Sequence, residues 1–212
     1  MPECLIVTSR VEGKNLIPVN PEIYDDIYCA DAGLYVAESM GIRATRLIGD
    51  YDSGEMPSRE VLEKSGAVLL PMEKDMTDSE AAIDLAYADG YRDITVLGGL
   101  GGRFDHTMGN IGLLSKYLEK GISLCFEDGY NRVSMKAPGT YYIHKDRFKY
   151  LGLVSYSATV ENLSVSGTKY SLENHTLTNK TTLGVSNEIT SDEAVISFTE
   201  GELLIIESND VK

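Results

Sequence analysis

Over roughly the first 130 residues, short apolar runs rich in β-branched side chains alternate with longer stretches of helical period. A parallel sheet joined by crossover helices requires that pattern. Residues 5–8, 27–30, 46–48, 67–70, 94–97 and 122–126 read as strands, and 34–40, 58–64, 79–88 and 106–119 as helices, the last two with apolar residues three and four apart. Thr77-Asp78-Ser79-Glu80 fits a capping box, in which a hydroxyl and a glutamate each satisfy an orphan amide, and Gly90 and Gly121 fall where helices should end.

Past Ala137-Pro138-Gly139 the period drops to two. Residues 154–160 and 163–166 alternate Val, Ser, Thr, Tyr and Leu, and 194–198, a Glu200-Gly201 turn and 203–206 predict a closing hairpin. The expected organisation is an α/β domain over 1–135, a mostly parallel sheet with flanking helices, followed by an antiparallel β domain over 136–212.

Composition narrows the chemistry. Of 212 residues 42% are hydrophobic, enough for a real core, and the formal charge of −14 repels nucleic-acid phosphates and anionic membrane surfaces. A phosphate ligand would need a divalent cation between itself and the excess acid. Cys4, Cys29 and Cys125 are too few for a disulfide framework and form no C-x-x-C pair, so reduced, packed thiols in a cytoplasmic protein are expected. The start has no basic-then-apolar leader, and no apolar run approaches a spanning helix.

In open parallel sheets ligands bind beyond the carboxyl ends of the strands. Acids follow those ends here: Asp31, then Asp50 and Asp52, then Asp75 and Asp78, and Asp105 after a glycine-rich turn. Taken singly, each is equally a helix cap or turn residue. Converging on one edge, they would repel one another unless a hard cation such as Mg²⁺ neutralised them, and Asp50 and Asp52, two apart in an extended turn, could share one ion. Gly98-Gly99-Leu100-Gly101-Gly102-Arg103-Phe104-Asp105-His106 follows a strand and opens a helix, where backbone amides and the helix terminus favour a phosphate. It matches neither the Walker pattern nor an intact dinucleotide fingerprint. Arg103 could grip a phosphate in two-point fashion, and Asp105 could bind metal, orient the attacking group or cap the helix. His106 reads as a structural histidine or a base, while His144 and His175 have no acidic sequence neighbours to make a triad.

In order along the chain, Ala30-Asp31-Ala32-Gly33, Gly49-Asp50-x-Asp52-Ser53, Lys74-Asp75-x-Thr77-Asp78, Gly98-Gly99-x-Gly101-Gly102-Arg103-x-Asp105-His106 with Asn110, and Gly184-x-Ser186-Asn187 resemble the thiamine pyrophosphokinase family. The resemblance implies a catalytic α/β domain and a thiamine-binding β-sandwich, a homodimer with sites at the subunit interface, and Mg²⁺-dependent transfer of the pyrophosphoryl group of ATP to the thiamine hydroxyl by in-line attack on the β-phosphorus, releasing AMP. It implies Asp50, Asp52 and Asp78 as Mg²⁺ ligands, with Asp105 beside them at the reacting groups. ATP contacts would come from Asp31, Ser53, Lys74, Asp75, Thr77, Gly99, Gly102, Arg103, His106 and Asn110, and thiamine contacts from Ser186 and Asn187. The sequence departs from the family at Ala32, where Gly is common, and at Tyr51, where an aliphatic residue or Phe is usual. It has no Trp, which leaves Tyr or Phe, with Tyr170 a candidate, for stacking on thiamine. The same acids would also suit a metal-dependent phosphohydrolase, or a binding protein that has lost turnover.

Overall fold

A computed structural model describes residues 1–49, 68–69 and 75–211. Asp50, Asp52, Ser53 and Lys74, and the helix expected at 58–64, lie outside the described residues. The chain divides into Met1–Gly129 and Tyr130–Lys212. The boundary expected at 135/136 would cut through a strand of the second unit.

In the first unit β1 (Glu3–Val7), β2 (Asp26–Ala30), β3 (Arg46–Gly49), β4 (Val68–Leu69), β5 (Asp93–Leu97) and β6 (Ser123–Glu127) are parallel, in the order β4-β3-β2-β1-β5-β6. Four consecutive residues of β1, Cys4 to Val7, are fully buried, which requires cover on both faces of the sheet. On one face Leu5, Val7, Ile27, Cys29 and Leu47 form a core with Leu34 and Ala37 of α1 (Gly33–Ser39). The alternate residues Ile6, Tyr28 and Ile48 are buried on the other. There α2 (Asp78–Ala88) packs on β1, β2 and β3, and α3 (Phe104–Glu119) packs on β6. The two helices are joined by the buried Tyr117, whose hydroxyl donates to Asp84 at 2.8 Å. Half of the expected capping box forms: Thr77 Oγ1 accepts from the Glu80 amide at 3.2 Å, whereas the Glu80 carboxylate pairs with Lys116 Nζ at 2.7 Å and so ties α2 to α3. Burial pushes the Cys4 and Cys29 thiols up to about 12, and all three cysteines are free.

The amino ends of the strands carry a half-buried polar cluster around two buried tyrosine rings. Tyr28 donates its hydroxyl to Asp89, which also pairs with Arg46, and Tyr91 donates to Asp26. The two rings meet edge to face with centroids 6.3 Å apart. Burial, and then the carboxylate beside it, raises the Tyr28 hydroxyl well above its ordinary value.

The second unit holds β7 (Asn131–Lys136), β8 (Gly139–His144), β9 (Tyr150–Ser155), β10 (Thr159–Ser166), β11 (Leu172–Thr178), β12 (Glu193–Phe198) and β13 (Leu203–Ser208). They make two antiparallel sheets, β7-β13-β9 and β11-β10-β12-β8. Leu151 and Leu153, Val160, Leu163 and Val165, Ala194, Ile196 and Phe198, and Leu203 and Ile205 meet in one core, so the sheets form a sandwich. The expected hairpin is overturned. β12 and β13 belong to different sheets, and the Glu200-Gly201 turn crosses between layers. Gly201, at φ 94°, lies against the Thr159 carbonyl, and Glu161 and Glu200 bridge at the crossing. Alternation marks which residues face the core but not whether the next strand lies beside the first or opposite it. The alternating stretch at 154–160 is also split between two strands, with β9 ending at Ser155 and β10 starting at Thr159.

Because the Tyr28 hydroxyl is raised above 10.0 in the folded state, its contribution is complete below pH 10 and drains away as alkali ionises the unfolded chain first. Tyr28→Phe should therefore lose about 1–2 kcal/mol at pH 8, where Asp89 loses a donor, yet decline less steeply above pH 10. Urea midpoints across that range that run parallel for the two proteins would contradict this.

Candidate active site

From β1 the sheet extends through β2, β3 and β4, and the chain then returns to the opposite side of β1 as β5. The β1/β5 boundary is therefore the place where the winding reverses, and the crevice beyond it is where such sheets bind ligands. Thr8-Ser9-Arg10 leaves β1 there, and the glycine turn leaves β5. Thr8 is buried, its amide donates to Leu97 O at 3.0 Å, and its hydroxyl lies 2.9 Å from that oxygen and 3.2 Å from Arg10 O. The turn passes so close that a Cβ on Gly98, at φ 98°, would overlap both the Thr8 hydroxyl and the Arg10 carbonyl. One step on, buried Asn110 of α3 donates Nδ2 to Gly99 O at 2.9 Å. The glycine turn is thus held from both sides before Gly102, at φ 76°, hands the chain to α3.

A cavity of about 250 Å³ opens over the turn, lined among others by Thr8, Arg10, Gly99, Gly102, Arg103 and His106. A second of about 250 Å³ adjoins it through His106 and Asn110 and reaches Thr77, Glu80 and Asp105. Arg103 and Asp105 form a forked pair, Nε to Oδ1 at 3.2 Å and Nη2 to Oδ2 at 2.6 Å, and Asp105 Oδ1 also accepts from the His106 amide at 3.0 Å. The guanidinium holds the Asp105 carboxyl below the usual carboxylate range and is itself raised in return. The structure thus brings Gly99, Gly102, Arg103, Asp105, His106, Asn110 and Thr77 to adjoining cavities.

Of the remaining expected acids, Asp31, Asp75 and Asp78 sit at the same edge by topology. Asp31 directly follows β2 with a left-handed backbone, φ 51°, its amide bonded to Ile48 O at 2.7 Å. Gly33, two residues on, faces the Val7 carbonyl so closely that a Cβ would overlap it. The departure at Ala32 falls on a residue with φ −67°, which any side chain adopts, and the glycine the packing requires is Gly33. Asp75 precedes α2 and Asp78 opens it, with Thr77 as the cap. Among the described residues no group of three or more His, Cys, Asp or Glu side chains is placed to hold a metal ion. Asp78 supplies hard oxygen donors of the kind Mg²⁺ takes, and Asp50 and Asp52 lie outside the described residues.

In the second unit Ser186 also has a left-handed backbone, φ 61°, and borders a cavity of about 350 Å³ lined by Tyr150, Gly152, Val154, Val185 and Ile206 among others. Asn187 is buried with its side chain fully engaged: Oδ1 accepts from the Tyr170 amide at 3.0 Å and the Glu188 amide at 2.9 Å, and Nδ2 donates to Tyr170 O at 2.7 Å. Asn187 therefore clips the backbone of Tyr170, whose ring stays exposed. His144 has an acidic neighbour after all, Glu193 across the β8/β12 ladder at 3.3 Å, a pairing that sequence adjacency does not display.

Thr8 and Arg10 were not among the expected site residues. The signal is in the sequence, since Thr8 ends the strand read at 5–8 and Arg10 follows it closely, but neither is an acid nor part of a glycine-rich turn.

The family model described as thiamin pyrophosphokinase, catalytic domain, matches residues 24–126, and that described as thiamin pyrophosphokinase, vitamin B1 binding domain, matches 140–203. Thiamine pyrophosphokinase of Bacillus subtilis (strain 168) is 35% identical over 203 residues, 93% of this chain and 95% of its own. The crystal structure of the Bacillus subtilis enzyme covers 100% of both chains at a TM-score of 0.86 and 32% identity. That of a thiamin pyrophosphokinase family protein from Enterococcus faecalis covers 100% of both at 0.87 and 28%.

Replacing Asn110 by Ala strands the Gly99 carbonyl. We expect a loss of about 1–3 kcal/mol in urea unfolding and faster amide exchange through residues 98–102. An unchanged midpoint with unchanged exchange would show that the turn holds without this bond.

Proposed function

The chain belongs to the thiamin pyrophosphokinase family, and from that premise we propose how its own residues carry out the reaction. The activity is thiamine pyrophosphokinase activity, with ATP as donor and thiamine as acceptor. The single observation behind the assignment of roles is the glycine turn pinned at the reversal of the sheet, with Arg103 and Asp105 at its exit.

In this reading the ATP phosphates lie over Gly99 and Gly102, where Arg103 exchanges its hold on Asp105 for a phosphate. Asp31, Ser53, Lys74, Asp75, Thr77, His106 and Asn110 complete the nucleotide site, Asn110 by fixing the turn. Mg²⁺ would be held by Asp50, Asp52 and Asp78, whose carboxylate oxygens suit a hard cation. When bound, it would neutralise phosphate charge in a chain that is itself strongly acidic. The thiamine hydroxyl attacks the β-phosphorus in line, AMP leaves, and no covalent enzyme intermediate forms; the protein supplies alignment and charge stabilisation. Asp105 keeps the Arg103 guanidinium in place until phosphate arrives, and once released from that pair Asp105 or Asp78 takes the proton that the attacking hydroxyl gives up.

Thiamine binds to the β-sandwich unit near Ser186, with Asn187 fixing Tyr170 as the aromatic face that replaces the absent Trp. The protein works as a cytoplasmic homodimer in which Ser186 of one subunit serves the catalytic unit of the other. No described helix is long and apolar enough to cross a membrane.

With ATP, Mg²⁺ and thiamine, AMP and thiamine diphosphate should appear together, and chelation with EDTA should stop both. AMP or phosphate release without thiamine would favour a phosphohydrolase instead, and ligand binding without product would favour a silent binding protein. Asp78→Asn should lower kcat at least on the order of a hundredfold with a small change in the thiamine KM. Mixing Asp78→Asn and Ser186→Ala subunits, each impaired alone, should restore activity; failure to complement while the dimer persists would place both residues in the same subunit's site.

A further inference from the structure

We propose that Arg10 is a second phosphate-gripping side chain of the nucleotide site, held against the glycine turn by Glu12. This rests on the placement of the ATP phosphates over that turn. Arg10 leaves β1 directly beside β5, at the reversal point of the sheet, and lines the same cavity of about 250 Å³ as Arg103, Gly99 and Gly102. Its guanidinium lies along the turn: a Cβ built on Gly102 would be 3.0 Å from Nη1 and 3.3 Å from Cζ. Glu12 lies alongside, its Cγ 2.7 Å from the corresponding position on Gly101.

The geometry of the Arg10–Glu12 pair is what suits it to a ligand. Glu12 Oε1 takes Nε of Arg10 at 2.6 Å, so it is the inner nitrogen that is used. Among the described residues Nη1 and Nη2 donate no hydrogen bond, and the Arg10 side chain is 66% exposed. A guanidinium steadied through Nε, with neither terminal amino group taken by a described residue, presents a two-point donor for phosphate oxygens. The Arg10 backbone is itself fixed, because its carbonyl lies 3.2 Å from the Thr8 hydroxyl and against Gly98.

The test measures affinity for a non-hydrolysable ATP analogue and for adenosine, both with Mg²⁺, together with steady-state constants, for the wild type, Arg10→Ala, Arg10→Lys, Glu12→Gln and Arg103→Ala. Arg10→Ala should weaken the ATP analogue by on the order of tenfold and raise the ATP KM to match, with adenosine affinity and thiamine KM within about twofold. Arg10→Lys should recover part of the loss, since it keeps the charge without the fork, and Glu12→Gln should move in the same direction as Arg10→Ala by less. If Arg10→Ala leaves the analogue's affinity intact while Arg103→Ala weakens it, the role of Arg10 is overturned and the site reading stands. If neither variant weakens it, phosphates do not lie on the glycine turn and both fall. Equal weakening of the analogue and adenosine would make Arg10 a structural residue and likewise overturn the proposal.

Discussion

Everything at the carboxyl edge of the parallel sheet depends on how closely three backbone segments approach one another. The end of β1 is pressed by Gly98 on one side and by Gly33 on the other, and at both positions a single methyl group would collide with a main-chain carbonyl. Protein interiors packed this tightly do not absorb an extra carbon without moving the backbone. The two glycines therefore set the width of the crevice. Thr8 and Asn110 then lock the turn that the glycines permit, each through a hydrogen bond to a carbonyl of that turn or its parent strand.

A second regularity is the use of short-range pairs to aim side chains. Arg10 with Glu12 and Arg103 with Asp105 are both guanidinium–carboxylate pairs two residues apart in sequence, on loops that leave neighbouring strands. Both are solvent-exposed, and exposed pairs contribute little to stability. What they supply is orientation. The sandwich unit reaches a similar end with neutral groups, where the Asn187 amide copies a strand neighbour and fixes the backbone of Tyr170 by both its N–H and its C=O.

Much of this was legible beforehand, for identifiable reasons. The strands of the parallel sheet are buried on both faces and announce themselves as apolar runs, and Thr77 caps a helix by a purely local rule. The glycine turn and the acids after the strands follow from where open sheets bind ligands. Contacts between residues distant in sequence were not legible. The Glu80 carboxylate reaches Lys116 instead of its own helix end, His144 meets Glu193 across a ladder, and β12 and β13 face each other across the core when adjacency suggested a hairpin. Alternation carries no record of which layer a strand joins. The importance of Arg10 was hidden for another reason: its neighbourhood with Gly102 comes from the sheet order, in which β5 inserts beside β1 after four other strands have formed.

The position of β13 at the middle of its sheet, between β7 and β9, bears on how the molecule is made. The parallel sheet needs no residue beyond Glu127 and can form while translation continues. The sandwich lacks its central strand until Ser208 has emerged from the ribosome, a wait of several seconds at about 5–20 residues per second. Until then β7 and β9 lack the strand that both pair with in the folded sheet, and a nascent chain stalled there would offer chaperones and neighbouring chains a place to pair.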